Sequence, residues 1–439
     1  MRETLRLGIA GLGTVGASVV RLIHRHENAL AEQAGRPVKL VAVSARDPAR
    51  RREAPVDGLA WFDDPVALAR SDTIDVFVEL IGGEDGIARD SVLAALRAGK
   101  DVVTANKALL AAYGVELAAE AEEHGASLSF EAAVGGGIPI VKALREALAG
   151  NRITRLYGIL NGTCNYILTR MEAEGLSFAE CLADAQRLGY AEADPSFDVE
   201  GHDTAHKLAI LTSIAFGTRI DCGSVFVEGI ASITPQDIAA ADELGFRIKL
   251  LGVAQRTETG IEQRVHPTMV PRDSGIARIS GVTNAVAVDG DFIGSVIMSG
   301  PGAGGDATAS AVVGDIVDLA RGSRVPPLGR PAAALEPYRR ARMRAHEGGY
   351  YLRLMLYDRP GAFAAIAHRM AEHNISLESI VQRNRPPKSA PKHVHEEAQP
   401  VTIVTYETTE QAVRDALARM QEADEVVGRP QMIRIEYLS

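Results

Sequence analysis

At 439 residues the chain is too long for one ordinary hydrophobic core, so two or three domains are expected. Its 46% hydrophobic and 24% charged content suits a globular protein in water. A formal charge of -10, spread along the chain, argues against a nucleic-acid partner, which calls for a clustered basic excess. Residues 1–13 run straight into a short apolar stretch and lack the long apolar core and cleavage site of a secretory signal. No charge-free apolar run reaches about 18 residues, so no membrane span is expected. Cys164, Cys181 and Cys222 show neither Cys-x-x-Cys nor metal-ligand spacing, as expected of structural free thiols in a reducing cytoplasm.

Residues 6–10 read as a strand, followed by Gly11, Gly13 and Gly16 in the spacing Gly-x-Gly-x-x-Gly and a helical run over 14–33. Gly11 permits the strand-to-helix turn, Gly13 lets backbone approach a pyrophosphate, and Gly16 packs helix on strand. The helix N-terminus, opening on Thr14 and Val15, offers N–H groups and a positive dipole end to phosphates. The strand at 38–43 leads into Ser44, Ala45, Arg46 and Asp47. Arg46 suits the 2′-phosphate of NADP(H), the expected cofactor. Asp47 keeps NAD(H) open, and a solvated cluster of Arg46, Arg50, Arg51 and Arg52 is the structural alternative.

Strands at 74–80, 101–104 and 127–131 alternate with helices at 90–98 and 114–124, predicting a parallel α/β sheet covered on both faces. Ligands bind outside the carboxyl ends of such strands, which places Lys107 toward cofactor or substrate unless it is solvated. Glu131 opens a loop with three consecutive glycines, 135–137. That loop is a domain hinge, or else it turns carbonyls toward a hard cation beside the carboxylate.

Asn161 begins the next helix, and a helix at 178–188 stops at Gly189. Residues 192–203 then carry five carboxylates: Glu192, Asp194, Asp198, Glu200 and Asp203. On a helix predicted over 202–216, Asp203 and Lys207 share one face with Ile210 and Ile214, so that face points inward. The pair is a buried structural bridge or a tuned acid–base group. His202 and His206 are also four apart, but no acidic third ligand accompanies them, which disfavours zinc.

Several stretches together resemble the homoserine dehydrogenase family: residues 11–16, 104–107, 161–168 and 188–195, then Asp198, Gly201, Asp203, Lys207 and residues 300–304. The resemblance covers residues 1 to about 325 and implies reversible interconversion of L-homoserine and L-aspartate 4-semialdehyde. It implies Lys207 as general acid or base, Glu192 on the substrate amino group, and Asp198 and Asp203 shaping the pocket. Lys107 would touch both cofactor and substrate, and Gly304 would return to the cofactor. Glu131, Val134, Gly136 and Ile138 would hold a structural sodium ion. A related amino- or hydroxy-acid dehydrogenase and a non-catalytic amino-acid sensor are the alternatives, although a sensor needs no pair of lysines.

These patterns divide the chain into a Rossmann-type nucleotide-binding domain (1–135, completed by about 300–325), an α+β catalytic and dimerisation domain (136–300), a linker (326–345) and a C-terminal domain (346–439). The last reads strand–helix–strand–strand–helix–strand, a ferredoxin-like order. It resembles an ACT domain at Asp358, Pro360, Gly361 and Asn374, with Lys388, Lys392, His393 and His395 in a polar loop. ACT domains pair sheet to sheet and bind amino acids there, which implies a homodimer or homotetramer and threonine as effector. Simple dimerisation is the alternative role. On this basis, deleting residues 345–439 is expected to spare activity and abolish threonine inhibition.

Overall fold

The computed structural model describes residues 3–50, 52–341, 347–357, 361–382, 398–422 and 426–437. Arg51, Asp358, Pro360 and the loop residues Lys388, Lys392, His393 and His395 lie outside the described residues.

The first sheet comprises β1 (Leu5–Ala10), β2 (Val38–Ser44), β3 (Ala60–Phe62), β4 (Val76–Glu79), β5 (Asp101–Thr104) and β6 (Leu128–Ser129). Every pairing is parallel, in the order β3-β2-β1-β4-β5-β6. This is the doubly wound arrangement, with the change of direction between β1 and β4. Successive side chains go to opposite faces. Leu7, Ile9, Val76, Val78 and Val103 pack under helices Thr14–Arg25 and Gly305–Arg321. Phe77 and Val102 pack under Ile87–Arg97 and Lys107–Glu123. The helix expected over 14–33 is two helices, Thr14–Arg25 and Glu27–Ala34, broken at His26 with φ -114° and ψ 23°.

One helix boundary differs in a way that matters for the site. The helix expected over 114–124 begins at Lys107, because the Asn106 side chain caps it by accepting the Leu109 N–H at 3.1 Å. Lys107 is thus the first residue of a helix rather than part of a loop. Beyond β6, the glycine-rich segment contains a short helix, Ala132–Gly135.

The second sheet begins with β7 (Ile153–Ile159), the short β8 (Phe226–Val227), β9 (Phe246–Arg256), β10 (Ile261–Pro271), β11 (Thr283–Gly290) and β12 (Gly294–Pro301). The sequence reading assigned no strand between 217 and 300. Most of β9 and β10 is buried, so neither strand shows the alternation by which a half-exposed strand announces itself. Helix His202–Phe216, found where expected, packs on these strands through Leu208, Ile210 and Leu211.

The C-terminal strands are β13 (Glu347–Tyr357), β14 (Leu377–Gln382), β15 (Ala398–Thr405), the two-residue β16 (Thr408–Thr409) and β17 (Gln431–Ile435). Helices Ala362–Glu372 and Glu410–Glu422 cover the β17-β13-β15-β14 layer, whose pairings are all antiparallel. The ferredoxin-like order is present. β17 also pairs in parallel with β10, so one sheet continues from β12 to β14. Ion pairs cross the same seam: Arg353 to Asp237 at 2.7 Å, Arg155 to Glu436 at 2.7 Å, and Arg434 to Glu228 at 2.6 Å. The stretch 326–341, read as linker, packs on the body through Leu328, Ala332 and Leu335.

This continuity changes the expected result of truncation. Removing residues 345–439 strips β10 of a partner strand and leaves buried Asp237 without Arg353 and the Tyr351 hydroxyl. Unpairing one such buried charge costs about 3–5 kcal/mol. The truncated chain is therefore expected to melt well below the full chain or to aggregate, measurable by scanning calorimetry. A truncated chain with unchanged thermal midpoint and full activity would show that the seam contributes little. No helix among the described residues is long and apolar enough to cross a membrane.

Candidate active site

Gly11 has φ +99°, and a Cβ there would lie 2.2 Å from the Leu80 carbonyl oxygen. A Cβ on Gly16 would lie 2.0 Å from the Gly11 carbonyl oxygen, so both positions exclude any side chain. At Gly13 the space is open, and no side chain caps helix Thr14–Arg25, leaving its first N–H groups available to a pyrophosphate. Helix Gly305–Arg321 starts beside this turn: a Cβ on Gly305 would meet Ser18 Oγ at 2.7 Å and Thr14 Cγ2 at 3.0 Å. Gly304, with φ +108°, precedes that helix and gives it no side-chain cap. The residues present fit a dinucleotide.

Arg46 is exposed just past the end of β2. Asp47 is exposed too, and its carboxylate accepts the Ala49 and Arg50 N–H groups of its own loop at 2.9 and 3.2 Å. Arg52 likewise donates to the Asp47 and Arg50 carbonyls. Arg46 stands nearest the strand end among the described arginines of this cluster.

At the carboxyl end of β5, half-buried Lys107 reaches across to helix His202–Phe216 and pairs with Asp203 Oδ1 at 2.9 Å. Lys207 donates to Asp203 Oδ2 at 2.8 Å and to the Leu160 carbonyl at 2.7 Å. One buried carboxylate therefore holds two ammonium groups, one from each domain. The Asn161 amide donates to Asp203 at 2.9 Å and to Asp198 at 2.8 Å, fixing both acids. Thr163 donates to the Tyr190 carbonyl at 2.7 Å and lies 3.3 Å from Asp198 Oδ2.

The charges are mutually tuned. Burial alone would raise the Asp203 pKa, but Lys207 and Lys107 outweigh it and hold the carboxyl well below the usual range. Burial would lower the Lys107 pKa, and Asp203, Asp198 and Glu192 reverse that to a raised value. Burial and the neighbouring Asp203 anion push Asp198 up. Glu192 is exposed, its carbonyl accepting from Gln186 at 3.0 Å, and its carboxylate is near enough to act on Lys107.

The residues of the expected cation loop are brought together elsewhere. Glu131, Val134, Gly136 and Ile138 are buried, and Gly136, at φ +59°, packs on the Gly302 backbone. The Glu131 carboxylate accepts the Val141 and Lys142 N–H groups, each at 2.8 Å. Burial and the nearby Asp315 push its pKa up to about 7 despite those bonds. An ionised carboxylate so placed gains from a cation, and in that respect the donor set fits one.

The profile of the family described as "Homoserine dehydrogenase" matches residues 139–317, and "Homoserine dehydrogenase, NAD binding domain" matches residues 11–131. The homoserine dehydrogenase of Pseudomonas aeruginosa is 44% identical over 443 residues, covering 100% of each chain. The chain belongs to the homoserine dehydrogenase family. Its activity is that of the family, within aspartate-family amino-acid biosynthesis, and the sensor alternative falls away. The crystal structure of a homoserine dehydrogenase from Thiobacillus denitrificans is similar with a TM-score of 0.92 and 43% identity, covering 100% of this chain and 99% of that one. A hyperthermophilic archaeal homoserine dehydrogenase in complex with NADPH is similar with a TM-score of 0.63 and 26% identity, covering 73% of this chain and 99% of that one.

Sequence reasoning named the two lysines and Asp203 but not what holds them. Asn161 stands at a helix start, where a polar side chain signals a cap; it accepts the Cys164 N–H at 2.8 Å. Glu79, wholly buried at the end of β4, accepts the Ile81 and Gly82 N–H groups and the Thr104 hydroxyl. Asn106 also ties to the Gly83 carbonyl at 2.7 Å. Together they stiffen the strand ends under Lys107, and a carboxylate ending an apolar strand was the available signal.

Proposed function

We propose that the chain interconverts L-homoserine and L-aspartate 4-semialdehyde with NADP(H) as preferred carrier, Lys207 acting as general acid and base. The carrying observation is that Lys107 and Lys207 share the buried Asp203 carboxylate. Gly11, Gly13, Thr14, Val15, Gly16, Arg46, Lys107 and Gly304 would hold the cofactor, which when bound supplies or accepts the hydride. In the reducing direction, negative charge grows on the aldehyde oxygen. Lys207 has three N–H donors, two of them engaged by Leu160 and Asp203, and the third protonates that oxygen. Lys107 stabilises the same charge, and Asp203 keeps both amines oriented. Glu192 and Asp198 bind the substrate ammonium, converting an encounter into an oriented complex. Homoserine oxidation assayed with NADP against NAD, with and without threonine, tests the whole assignment.

Support for NADP comes from exposed Arg46, from the engagement of the Asp47 carboxylate by its own loop, and from the archaeal relative's NADPH. Arg46→Asp is expected to lower the NADP/NAD ratio of kcat/KM by roughly tenfold or more, one charge-assisted contact being lost and one repulsion gained. An unchanged ratio would make Arg46 mere surface.

Glu131, with the carbonyls of Val134, Gly136 and Ile138, is proposed to hold a sodium ion. The raised pKa supplies a test. From an ordinary value of 4.5 to about 7, the folded chain binds the Glu131 proton more tightly than the unfolded chain. Stability therefore falls as pH rises through that window. Sodium favours the carboxylate and offsets the loss, so at pH 8 the thermal midpoint is expected to rise by a few degrees (~2–4 °C) in NaCl over equal KCl. Glu131→Gln is expected to abolish the difference; a persisting difference in that variant moves the ion elsewhere.

The C-terminal unit is proposed to be an ACT domain that conveys inhibition by threonine. Gly361, φ +93°, starts its first helix and Asn374, φ +56°, follows the end, supporting that match. A homodimer or homotetramer in the cytoplasm completes the proposal. Edge strand β12 supports association, with Phe292, Ile293 and Ile297 exposed along it and at its hairpin tip.

A further inference from the structure

A cavity of about 660 Å³ lies at the seam between the catalytic and C-terminal layers. That is room for a small metabolite. It is lined by Val199 and Glu200 and by helix Glu410–Glu422 through Arg414, Leu417 and Ala418. Arg429 lines it as well. Arg414 is already engaged with Glu228 at 3.0 Å and Glu410 at 2.7 Å. Arg429 is exposed and makes no ion pair with any described residue, so its guanidinium is available to a ligand.

Val199 and Glu200 directly follow Asp198, and Gly201 leads into the helix carrying Asp203 and Lys207. The Ile230 N–H donates to the Val199 carbonyl at 2.9 Å, and a Cβ on Gly229 would meet that oxygen at 2.3 Å. Glu228, one residue before, is pinned to Arg434 of β17 at 2.6 Å. A ligand between Arg429 and Val199–Glu200 would contact the C-terminal unit and the segment that joins Asp198 to Asp203 together.

We propose that this cavity binds a small carboxylate of amino-acid size, held by Arg429, and that its occupancy adjusts the segment joining Asp198 to Asp203. The second part rests on the roles proposed above for those acids. A carboxylate suits an unengaged guanidinium bidentately, and an α-ammonium would face Glu200. This site is distinct from the sheet-pairing surface where an ACT domain takes its ligand.

The test uses the full chain, with L-threonine and succinate as probes in isothermal titration. At least one is expected to bind, and Arg429→Ala and Ala418→Trp are each expected to weaken it by about tenfold or more. Both variants should keep the kcat and KM measured without probe. Neither probe binding at about 10 mM overturns the proposal. So does binding unchanged in either variant. Threonine inhibition that persists undiminished in both variants sinks this cavity as the effector site while leaving the ACT reading intact. Succinate binding that is lost in Arg429→Ala, with threonine inert on the unaltered enzyme, sustains the cavity and removes threonine as its occupant.

Discussion

Replacing Lys207 with alanine is expected to lower kcat for homoserine oxidation by roughly 10²–10⁴-fold, the contribution of a positioned general acid or base. NADPH binding should stay near normal, since Lys207 faces Leu160 and Asp203 rather than the glycine turn. The loss should appear in kcat and kcat/KM together, as befits an interaction made in the transition state. Titration of NADPH fluorescence alongside steady-state rates separates the two effects. A variant with near-normal turnover would remove Lys207 from its role. One with weakened NADPH binding and intact kcat would make it a cofactor ligand.

Asp203→Asn is expected to be nearly as damaging, and for a different reason. The amide keeps the shape but leaves Lys107 and Lys207 facing each other with no buried anion between them. Removing the charge from one side of a buried ion pair costs about 3–5 kcal/mol. Asp203 is held well below its ordinary value of 3.8, so its stabilisation is complete above that value and is lost only as pH falls further, through the folded pKa. The gap between parent and variant should therefore be flat from pH 6 to 9 in scanning calorimetry. In the variant, Lys107 loses the counter-charge that raises its pKa and deprotonates more readily, so the pH profile of kcat should move toward acid. A variant with parental stability and an unmoved profile would mean that Asp203 is a spectator.

Much of the site was legible because its signals are local. The spacing of Gly11, Gly13 and Gly16 and the four-residue step from Asp203 to Lys207 depend on turn sterics and helix pitch, which short sequence windows carry. The prediction of helix His202–Phe216 held for that reason. Lys107 was placed at a strand's carboxyl end but not at a helix start, since the cap at Asn106 went unread. β9 and β10 went unread because a strand buried on both faces shows no period of two.

The sequence by itself determined the nucleotide turn, the inward face of the catalytic helix and the family. Only the tertiary structure decided that Asp203 accepts both lysines, that Asn161 bridges Asp198 and Asp203, and that β17 joins β10 so that the C-terminal layer cannot be lifted off cleanly. Each of these joins side chains or strands far apart along the chain. Their partners are chosen by how whole layers pack, and no local periodicity encodes that choice. The pair Asp203 and Lys207 was visible as spacing; that Lys107 of the nucleotide-binding layer meets it is a property of the fold.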